Sequence, residues 1–415
     1  MKRVFRLPAV LTLVVVLTLA LTSIGPSLGR PQLHAGGSGA SGGPFVRIDS
    51  DLAARVDDVA ERLLSESNVA GLSVAVARRG TVVFADGYGF ADLQGEVPAS
   101  ADTVYGIGSI TKQFTAAAML RLQEQGRLAL DDDIKMYLPG YPTHGQPITI
   151  QQILSHTSGI PELTAQPSYR DSSDAAVRRE AIMREVLSLP LDFAPGTQWR
   201  YSNSGYVLAG MIIERVTGLS YDTYLTEKLL GSLGLRHTSV CPDRSSAPYA
   251  HGYEQQTGSW TRAIRLGESL PLVPAGPVDL SIASSAGAGC STVLELLAWT
   301  DALRSGRVVS PASYRLMTTP TTLADGRTVP YGLGLFLRHF GTHRAIVHEG
   351  IIENGFVGML GDFPDDGLTV AVLANTLIAD PESFMAEILR GVFDEPDATW
   401  DVPDMEPASS EGRSP

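Results

Sequence analysis

Apolar runs typical of β-strands lie near both ends of this 415-residue chain, and the segment between them, residues 110–305, has a mostly helical pattern. Near the start, Arg78, Arg79 and Gly80 join the runs GLSVAVA (71–77) and TVVFADG (81–87), which predicts a β-hairpin. The runs near the end are YGLGLFLR (331–338), RAIVHE (344–349), GFVGML (355–360) and LTVAVLAN (368–375), the last two joined across Asp366-Gly367. We therefore predict the α+β class: an antiparallel sheet formed from N- and C-terminal strands and flanked by helices, with a mostly helical inserted lobe.

Two amphipathic helices are predicted beside this sheet. The first has Ser50 as its N-cap and repeats apolar residues at helical spacing, namely Leu52, Val56, Val59 and Leu63. The last has Asp380 as its N-cap and Pro381 in its first turn, and its apolar face consists of Phe384, Met385, Ile388 and Leu389. With a sheet and a helical lobe side by side, an active site is expected between them.

The first 29 residues have the pattern of an export signal. A basic start, MKR, precedes an uncharged and mostly apolar run from Leu7 to Leu21, and small and turn-forming residues follow. The run is short for a bilayer span and contains Pro8, which favours a cleaved signal peptide over an uncleaved anchor. We therefore predict an exported protein, extracellular or associated with the cell envelope, with membrane anchoring through this segment as the alternative.

The remainder of the chain divides into three predicted parts. Residues 30–44 contain GGSGASGGP and are predicted to be a flexible linker. Residues 45–394 form one folded unit. Residues 395–415, which are acidic and rich in Pro and Ser, are predicted to be a disordered tail.

Composition restricts the ligands of the folded unit. The formal net charge is −13, so no basic stripe is available to neutralise nucleic-acid phosphates, and we predict no nucleic-acid partner. His339, His343 and His348 have no accompanying carboxylate or cysteine pattern, and there is no CxxC motif, so we predict no metal and no cofactor. Cys241 and Cys290 either form a disulfide, as an exported protein allows, or stay as buried free thiols.

The stretch VYGIGSITKQFTAAAML, residues 104–120, places a lysine three residues after a serine at the start of an apolar helix. Residues three apart share a helix face, so the Lys112 amine is expected to reach the Ser109 hydroxyl. Burial disfavours the charged form of lysine, and the positive end of the helix acts in the same direction. A serine needs a neighbour that takes its proton to become a nucleophile, and a neutral lysine is one solution. Taken alone, a helix cap followed by a surface lysine explains the same residues.

Three further segments carry candidate site residues. In FAPGTQWRYSNSGYVLAGMIIERVTG, Tyr201 could relay a proton, and the Asn203 amide could hold Lys112 and a substrate carbonyl. In ILSHTSGIP (153–161), His156 is expected to be a structural hydrogen-bonding residue. In VHEGIIENGF, a strand ends at His348, Glu349 and Gly350, where an amide N–H could stabilise an oxyanion. Each segment alone also fits an ordinary turn or strand.

Taken together, the segments resemble the serine beta-lactamase-related family, which includes class C beta-lactamases, D-alanyl-D-alanine carboxypeptidases, D-aminopeptidases and esterases. The resemblance covers about residues 50–395. It rests on motifs in a fixed order: Ser109-Ile110-Thr111-Lys112, LSHTSG, PGT-W-YSN-GY, SAGAGCS (285–291) and His348-Glu349-Gly350.

This resemblance implies a serine hydrolase that acts on a small-molecule or peptide substrate through an acyl-enzyme. Ser109 would attack the carbonyl, and Lys112 and Tyr201 would move the proton. Asn203 would position the substrate, and His348 would stand where many relatives have a lysine, with a hydrogen bond toward Tyr201 or the substrate. The remaining binding groups would be Gly350 and an oxyanion hole made by the backbone N–H groups of Ser109 and Ile351.

Glu349 departs from the family pattern, which usually has a small or hydroxyl residue there. If its carboxylate lines the pocket, it repels a substrate carboxylate, and Glu353 adds a second acid nearby. We then expect neutral esters, amides or amine-bearing D-amino acid derivatives to be better substrates than penicillins or peptides with a free C-terminal carboxylate. The alternative is that Glu349 points away from the pocket.

A different class of function fits the same fold: a module of the penicillin-binding-protein type that is catalytically weak or inactive and binds the cell wall. The presence of Ser109, Lys112, Tyr201 and Asn203 favours the enzyme. Labelling by a covalent serine probe that is lost in Ser109→Ala distinguishes the two functions.

Overall fold

A computed structural model of the protein describes residues 46–166, 169, 178–241, 249–256, 271–276, 278, 280, 282–377 and 380–401. The predicted export signal and the linker, residues 1–44, lie outside the described residues, as do residues 402–415. Within the described ranges, no helix is both long enough and apolar enough to cross a bilayer.

An eight-stranded antiparallel sheet is the centre of the fold, in agreement with the predicted class. Strand β2, from the N-terminal part, pairs directly with β15, from the C-terminal part, so both ends of the domain meet in mid-sheet. The order is β1-β3-β2-β15-β14-β13-β12, with β4 paired to β3. The strands are β1 (Val46–Arg47), β2 (Gly71–Arg78), β3 (Thr81–Asp92), β4 (Val97–Pro98), β12 (Phe336–Phe340), β13 (His343–Ile352), β14 (Phe356–Phe363) and β15 (Leu368–Ala374).

The predicted N-terminal hairpin is present as β2 and β3. Its two connecting residues, Arg79 and Gly80, have φ of 50° and 78°, and hairpin turns of the I′ type require positive φ at both positions. The predicted hairpin across Asp366-Gly367 is present as β14 and β15, and Gly367 also has positive φ.

The segment predicted as a strand over 331–338 begins five residues later, at Phe336. Gly334 has φ of 77°, and a Cβ there would lie 2.8 Å from the Lys112 carbonyl oxygen. Residues 331–335 therefore form a bend that approaches the Lys112 helix closely, and a continuous extended strand cannot follow that path.

The two sheet faces are covered by different helices. Helix α1 (Ser50–Glu66) and helix α10 (Pro381–Phe393) pack on one face, and the helical lobe covers the other. The N-cap of α1 is Asp49, whose side chain accepts a hydrogen bond from the Leu52 N–H; the prediction of Ser50 was wrong by one residue. Helix α10 has the predicted cap Asp380 and Pro381 at its start.

A buried helix, α2 (Thr111–Glu124), lies in the helical lobe. Every residue of α2 from Thr111 to Leu120 is buried, as the all-round apolar pattern predicts. In the part of the lobe that the structure describes, the other helices are α3 (Ile150–Leu154), α4 (Arg178–Ser188), α5 (Asn203–Thr217), α6 (Tyr221–Thr223), α7 (Ser284–Gly287), α8 (Val293–Arg304) and α9 (Pro311–Met317), with a π-helix at Tyr224–Leu230 and 3₁₀ turns at Gly108–Ile110, Ile134–Met136, Leu163–Ala165 and Gly231–Leu233.

Within the described ranges, three small sheets accompany the lobe. They pair β5 (Tyr105–Gly106), β9 (Gly289–Ser291) and β6 (Ser239–Val240) in one, β7 (Tyr253–Gln255) with β8 (Leu272–Pro274), and β10 (Thr321–Thr322) with β11 (Thr328–Val329). Cys241 follows β6 and forms a disulfide with Cys290 of β9, with Cα atoms 4.9 Å apart. Of the two alternatives for these cysteines, the structure has the disulfide.

The chain after α10 follows the edge of the large sheet as far as Asp401. The Gly341 N–H donates to the Thr399 carbonyl at 2.9 Å, and the Asp401 N–H donates to the His339 carbonyl at 3.0 Å. The Trp400 ring lies 5.1 Å from the Phe340 ring. The predicted start of disorder at residue 395 is therefore wrong for residues 395–401, because they pair with the strand edge.

Candidate active site

Ser109 lies in the 3₁₀ turn Gly108–Ile110, directly before α2, and its side chain is partly exposed. This turn touches strand β13 backbone to backbone. A Cβ on Gly108, which has φ of 52°, would lie 2.5 Å from the Ile351 nitrogen. A Cβ on Gly350 would lie 1.9 Å from the Ile107 carbonyl oxygen. The two glycines thus allow a contact between the serine turn and the strand that any side chain would prevent.

The Lys112 amine is buried next to Ser109. Its Nζ lies 2.9 Å from Ser109 Oγ, 2.8 Å from Asn203 Oδ1 and 2.7 Å from the Ala286 carbonyl oxygen. Burial lowers the pKa of Lys112 to about 7, and the negative charge of Glu162 opposes that shift. A substantial fraction of this lysine is therefore neutral at physiological pH.

Tyr201 and Asn203 flank the start of α5, whose N-cap is Ser202. The Tyr201 side chain lies next to that of Ser109, and Lys112 Nζ lies 4.7 Å from the centre of the Tyr201 ring. Burial raises the pKa of Tyr201 well above its ordinary value, so the phenol is neutral at physiological pH. The structure thus brings together the four residues that the sequence motifs single out.

Glu162 is a member of this cluster that sequence reasoning missed. Its carboxylate accepts from the Asn203 backbone N–H at 2.6 Å and from Asn203 Nδ2 at 2.9 Å. Because a carboxylate only accepts, the amide oxygen of Asn203 must face the other way, toward Lys112. The available sequence signal was an acid placed directly after the apolar end of the LSHTSGIP segment.

His348 is buried in β13, 6.2 Å from the Tyr201 ring. Its described hydrogen-bond partners are the Glu349 carbonyl oxygen, 2.6 Å from Nδ1, and the Tyr331 hydroxyl, 3.3 Å from Nε2. Tyr331 takes the place of the predicted partner Tyr201, and the alternative, a hydrogen bond to the substrate, stays a prediction. Burial, and then the neighbouring Lys112, lower the pKa of His348 to about 3, so the imidazole is neutral at physiological pH.

Glu349 lies on the opposite face of β13 from His348. Its cross-strand partner is Met359, which packs in the core beneath α10, whereas the partner of His348 is Leu360 in the lobe-side core. The charges that act on Glu349 are Glu382, Arg338 and Asp380, and burial raises its pKa. The interpretation that the Glu349 carboxylate lines the pocket was wrong, because successive strand residues face opposite sides of a sheet.

Ile351 presents its backbone to the site. Its nitrogen lies against the serine turn near Gly108, while the residue as a whole is 54% exposed. The backbone N–H groups of Ser109 and Ile351 therefore lie at one junction, where the predicted oxyanion hole would form.

Aromatic rings form the wall behind Tyr201. The His156 ring lies 4.4 Å from the Tyr201 ring, and the Phe336 ring is stacked parallel to it at 6.5 Å. Tyr331 contacts both His156 and His348 and was not singled out from the sequence. Across the described part of the chain, no group of three or more His, Cys, Asp or Glu side chains is placed to hold a metal ion.

The antiparallel sheet, the helical lobe and the Ser-X-X-Lys turn between them define a protein of the beta-lactamase and transpeptidase fold. A family model described as Beta-lactamase matches residues 56–391. The chain therefore belongs to the beta-lactamase family, whose members are serine hydrolases.

Known relatives agree with this membership. "Protein flp" of Staphylococcus aureus (strain MRSA252) is 35% identical over 216 residues, which are 51% of this chain and 43% of that protein. The match thus spans less than half the length of this relative.

Solved structures show the same fold. The octameric penicillin-binding protein homologue from Pyrococcus abyssi has a TM-score of 0.72 and 28% identity, covering 82% of this chain and 77% of that chain. A D-stereospecific amidohydrolase from Streptomyces sp. has a TM-score of 0.65 and 27% identity, covering 82% of this chain and 98% of that chain.

Proposed function

We propose that this protein is an exported serine hydrolase that cleaves esters or amides through an acyl-enzyme at Ser109. One observation carries the proposal: the buried Lys112 amine, with its pKa near 7, lies 2.9 Å from Ser109 Oγ. A general base is most effective when its pKa is near the working pH, and a serine needs such a base to become a nucleophile.

In the acylation step, Ser109 Oγ attacks the substrate carbonyl carbon as its proton moves to the neutral Lys112 amine. The new C–O bond forms, and the carbonyl electron pair moves onto oxygen. When the tetrahedral intermediate collapses, the bond to the leaving alcohol or amine breaks. The leaving group takes up one proton, which comes from the Lys112 ammonium through the Tyr201 hydroxyl.

In the deacylation step, water attacks the acyl carbon and the same groups act in reverse order. The water proton passes to Lys112, the bond to Ser109 Oγ breaks, and the serine regains a proton. Because the pKa of Tyr201 is raised well above its ordinary value, Tyr201 acts here as a neutral relay that donates one proton while it accepts another. Lys112 is the group that changes charge.

Negative charge develops on the carbonyl oxygen in both steps. The junction of the serine turn and β13 supports the backbone N–H groups of Ser109 and Ile351 as its donors. Such donors typically contribute about two to three orders of magnitude in rate. Asn203 has one Nδ2 hydrogen bonded to Glu162, and its second hydrogen is the donor we assign to the substrate carbonyl.

The charges around the site favour neutral substrates, although for a different reason from the one that Glu349 suggested. The His348-Glu349-Gly350 motif has a neutral imidazole, His348, where a lysine would attract a substrate carboxylate. Glu162 adds a partly exposed negative charge next to Asn203. The similarity to a D-stereospecific amidohydrolase supports amides as one substrate class.

Export is part of the proposal. Its support is the basic and then apolar pattern of residues 1–29 and the Cys241–Cys290 disulfide, since disulfides persist in oxidising compartments.

A covalent serine probe tests the chemistry. We expect a fluorophosphonate to label the folded protein and mass spectrometry to place the adduct on the peptide that contains Ser109. Ser109→Ala should abolish labelling, whereas Ser65→Ala, at an exposed serine of α1, should leave it unchanged. Folded protein that hydrolyses no substrate and gains no adduct would instead support the binding-module alternative.

A three-substrate comparison tests the charge argument. We expect p-nitrophenyl acetate and a D-amino acid amide to be turned over with a higher kcat/KM than nitrocefin, which carries a carboxylate. Glu349→Gln should leave this order unchanged because its side chain faces α10. Nitrocefin as the best substrate of the three would contradict the proposed preference.

A further inference from the structure

A continuous chain of hydrogen bonds runs through the buried wall behind Tyr201. The Ser202 N–H donates to His156 Nδ1 at 3.1 Å, and His156 Nε2 lies 3.0 Å from the Tyr331 hydroxyl. The Tyr331 hydroxyl lies 3.3 Å from His348 Nε2, and His348 Nδ1 lies 2.6 Å from the Glu349 carbonyl oxygen. His156, Tyr331 and His348 are all at most 1% exposed, so water does not compete for these bonds.

The groups at the two ends of this series of hydrogen bonds fix where its protons lie. At one end a backbone N–H can only donate, so His156 Nδ1 is an acceptor and the proton of the neutral ring is on Nε2. At the other end a carbonyl oxygen can only accept, so His348 carries its proton on Nδ1 and its Nε2 is an acceptor. Tyr331 in the middle must then accept from His156, and its own proton is available to His348 Nε2. The neighbouring Tyr206 hydroxyl donates to the Leu154 carbonyl at 2.6 Å, so toward Tyr331 it can act only as a second acceptor. We assign the Tyr331 proton to His348 Nε2 because Tyr206 already accepts from the Gly334 N–H, whereas Tyr331 is the described donor for His348 Nε2.

We propose that Tyr331 is a positioning residue that holds His156 and His348 in complementary neutral tautomers and thereby fixes the loop that carries Tyr201. This inference rests on the proposed function, because it assigns Tyr331 a part in the geometry of the same site.

The attachment of the Tyr201 loop supports this assignment. His156 is hydrogen-bonded to the loop on both sides of Tyr201. Its carbonyl accepts from the Arg200 N–H at 2.9 Å, and its ring accepts from the Ser202 N–H. The His156 ring also contacts the Tyr201 ring, 4.4 Å between centres. His156 has φ of 61°, a conformation uncommon for a residue with a side chain, and such outliers persist only where the surroundings hold them.

The charge balance of the site also requires neutral rings. His348 faces Lys112 of α2, Tyr201 of the loop and Tyr331 of the bend before β12, and His156 lies behind Tyr331. Glu349, with Glu382, Asp380 and Arg338, lies on the far side of the strand. A second cation at His348 would repel the protonated form of Lys112 and hinder its proton uptake from Ser109.

Tautomer assignment in the wild-type protein tests the proposal without any need for activity. Long-range ¹H–¹⁵N spectra distinguish protonated from unprotonated ring nitrogens, and His156→Gln and His348→Gln assign the signals. We expect Nε2–H at His156 and Nδ1–H at His348 at neutral pH. An Nε2–H tautomer at His348, or a charged ring at either position, would overturn the proposal even if hydrolase activity is found.

Tyr331→Phe tests the consequence for turnover. The change leaves the His156 Nε2–H and His348 Nε2 without their partner, and a buried unsatisfied group typically changes an equilibrium by about 10- to 100-fold. We expect kcat to fall by about 10- to 100-fold with KM within about twofold, and the ¹⁵N titration of His348 to move to higher pH.

Tyr221→Phe is the matched control. It removes the hydroxyl of another buried tyrosine, which lies 2.7 Å from Thr115 Oγ1 and outside the hydrogen bonds that join His156, Tyr331 and His348. We expect this change to leave kcat and the histidine spectra unchanged. Equal losses in both variants, or an unchanged His348 titration in Tyr331→Phe, would show that Tyr331 is only a core residue. The expected tautomers in a protein without activity would contradict the proposed function but would still support the role of Tyr331 in holding His156 and His348.

Discussion

The Glu162 carboxylate holds Asn203 by two hydrogen bonds, one to its backbone N–H and one to its side-chain Nδ2. The amide oxygen of Asn203 therefore faces Lys112 Nζ at 2.8 Å. Glu162 also acts on Lys112 through space, because its negative charge favours the protonated amine and so raises the pKa of Lys112 against the effect of burial. One carboxylate thus sets both the orientation of the amide and the proton affinity of the base.

Glu162→Gln should move the acidic limb of the kcat/KM profile to lower pH. Lys112 must be neutral to take the serine proton, so activity rises as pH increases through its pKa, about 7. Removing the negative charge lowers that pKa, which makes the neutral amine available at lower pH. The maximal rate should also fall, since a glutamine cannot accept both hydrogen bonds from Asn203 as the carboxylate does.

The measurement for Glu162 is a pH–rate series on one neutral ester. Glu254→Gln, a change at an exposed acid, serves as the control and should keep the wild-type limb. A limb that stays in place or moves to higher pH would show that Glu162 does not act on Lys112 through its charge.

Lys112→Met should abolish turnover and change how stability depends on pH. The folded-state pKa of Lys112 is about 7, against 10.5 for the free side chain. Between these values the unfolded chain binds more protons, so this group makes the wild type gain stability as pH rises from about 7 to 10.5. The variant lacks that gain, and its stability relative to wild type should be greater at pH 6 than at pH 10, by about 2–4 kcal/mol.

Urea denaturation gives the free energy of unfolding of both proteins at pH 6 and pH 10. The quantity compared is the difference between variant and wild type at each pH. The comparison removes the titration of groups that the two proteins share. It is also insensitive to the constant cost of leaving Asn203 Oδ1 and the Ala286 carbonyl without the lysine. An identical pH dependence of the two proteins would contradict the assignment of a lowered pKa to Lys112.

Gly350→Ala should reduce kcat/KM by about 100-fold or more, since misplacement of a reacting group by about 1 Å has an effect of that size. The added methyl group would lie 1.9 Å from the Ile107 carbonyl oxygen, so the serine turn and β13 must move apart. This separates Ser109 from the Ile351 N–H. Gly140→Ala, where a Cβ meets nothing within 4 Å, is the matched control and should retain full activity. Steady-state kinetics on the two purified variants provide the comparison, and wild-type activity in Gly350→Ala would refute the oxyanion-hole assignment.

How far the sequence predicted this site depends on the distance between partners along the chain. Ser109 and Lys112 are three residues apart, so helical spacing alone predicted their contact. The partnerships of Glu162 with Asn203 and of Tyr331 with His156 join segments whose proximity only the folded lobe determines. No periodicity in the chain encodes such contacts.

Two errors have local physical causes. Successive strand residues face opposite sides of a sheet, so Glu349 faces away from the site when His348 faces it, whatever the family motif has at that position. The polar composition of the segment after Asp394 predicted disorder from residue 395. The segment also contains one half-buried aromatic residue, Trp400, which packs against Phe340 and pairs with it at the strand edge.

Replacing Cys241 and Cys290 by serine should lower the free energy of unfolding by about 2–4 kcal/mol. The bridge joins residues 49 apart in sequence. In the chain-entropy account, opening this loop raises the conformational entropy of the unfolded state, and the effect grows with loop length. Reduction of the wild type should reproduce the double variant, and reductant should not affect the variant further. Chemical denaturation with and without reductant measures both. Equal stability of oxidised and reduced wild type would show that the bridge does not stabilise the fold.

Two truncations separate the ordered strap, residues 395–401, from the rest of the tail. Removal of residues 402–415 should leave the melting temperature unchanged if the strap suffices to cover the edge of β12. Removal from residue 395 onward should lower it, because the Gly341 N–H and the His339 carbonyl lose their backbone partners and Phe340 loses the Trp400 ring. Trp400→Ala in the full chain isolates the aromatic contribution and should cost about 1–3 kcal/mol, as expected for a half-buried large side chain. Equal melting temperatures for the two truncations would mean that the strap contacts contribute nothing to stability. If instead both truncations melt lower than the full chain, residues 402–415 contribute as well.

Since the strap pairs with the edge strand, its removal should also expose an unpaired sheet edge, and light scattering should then detect association of the shorter chain.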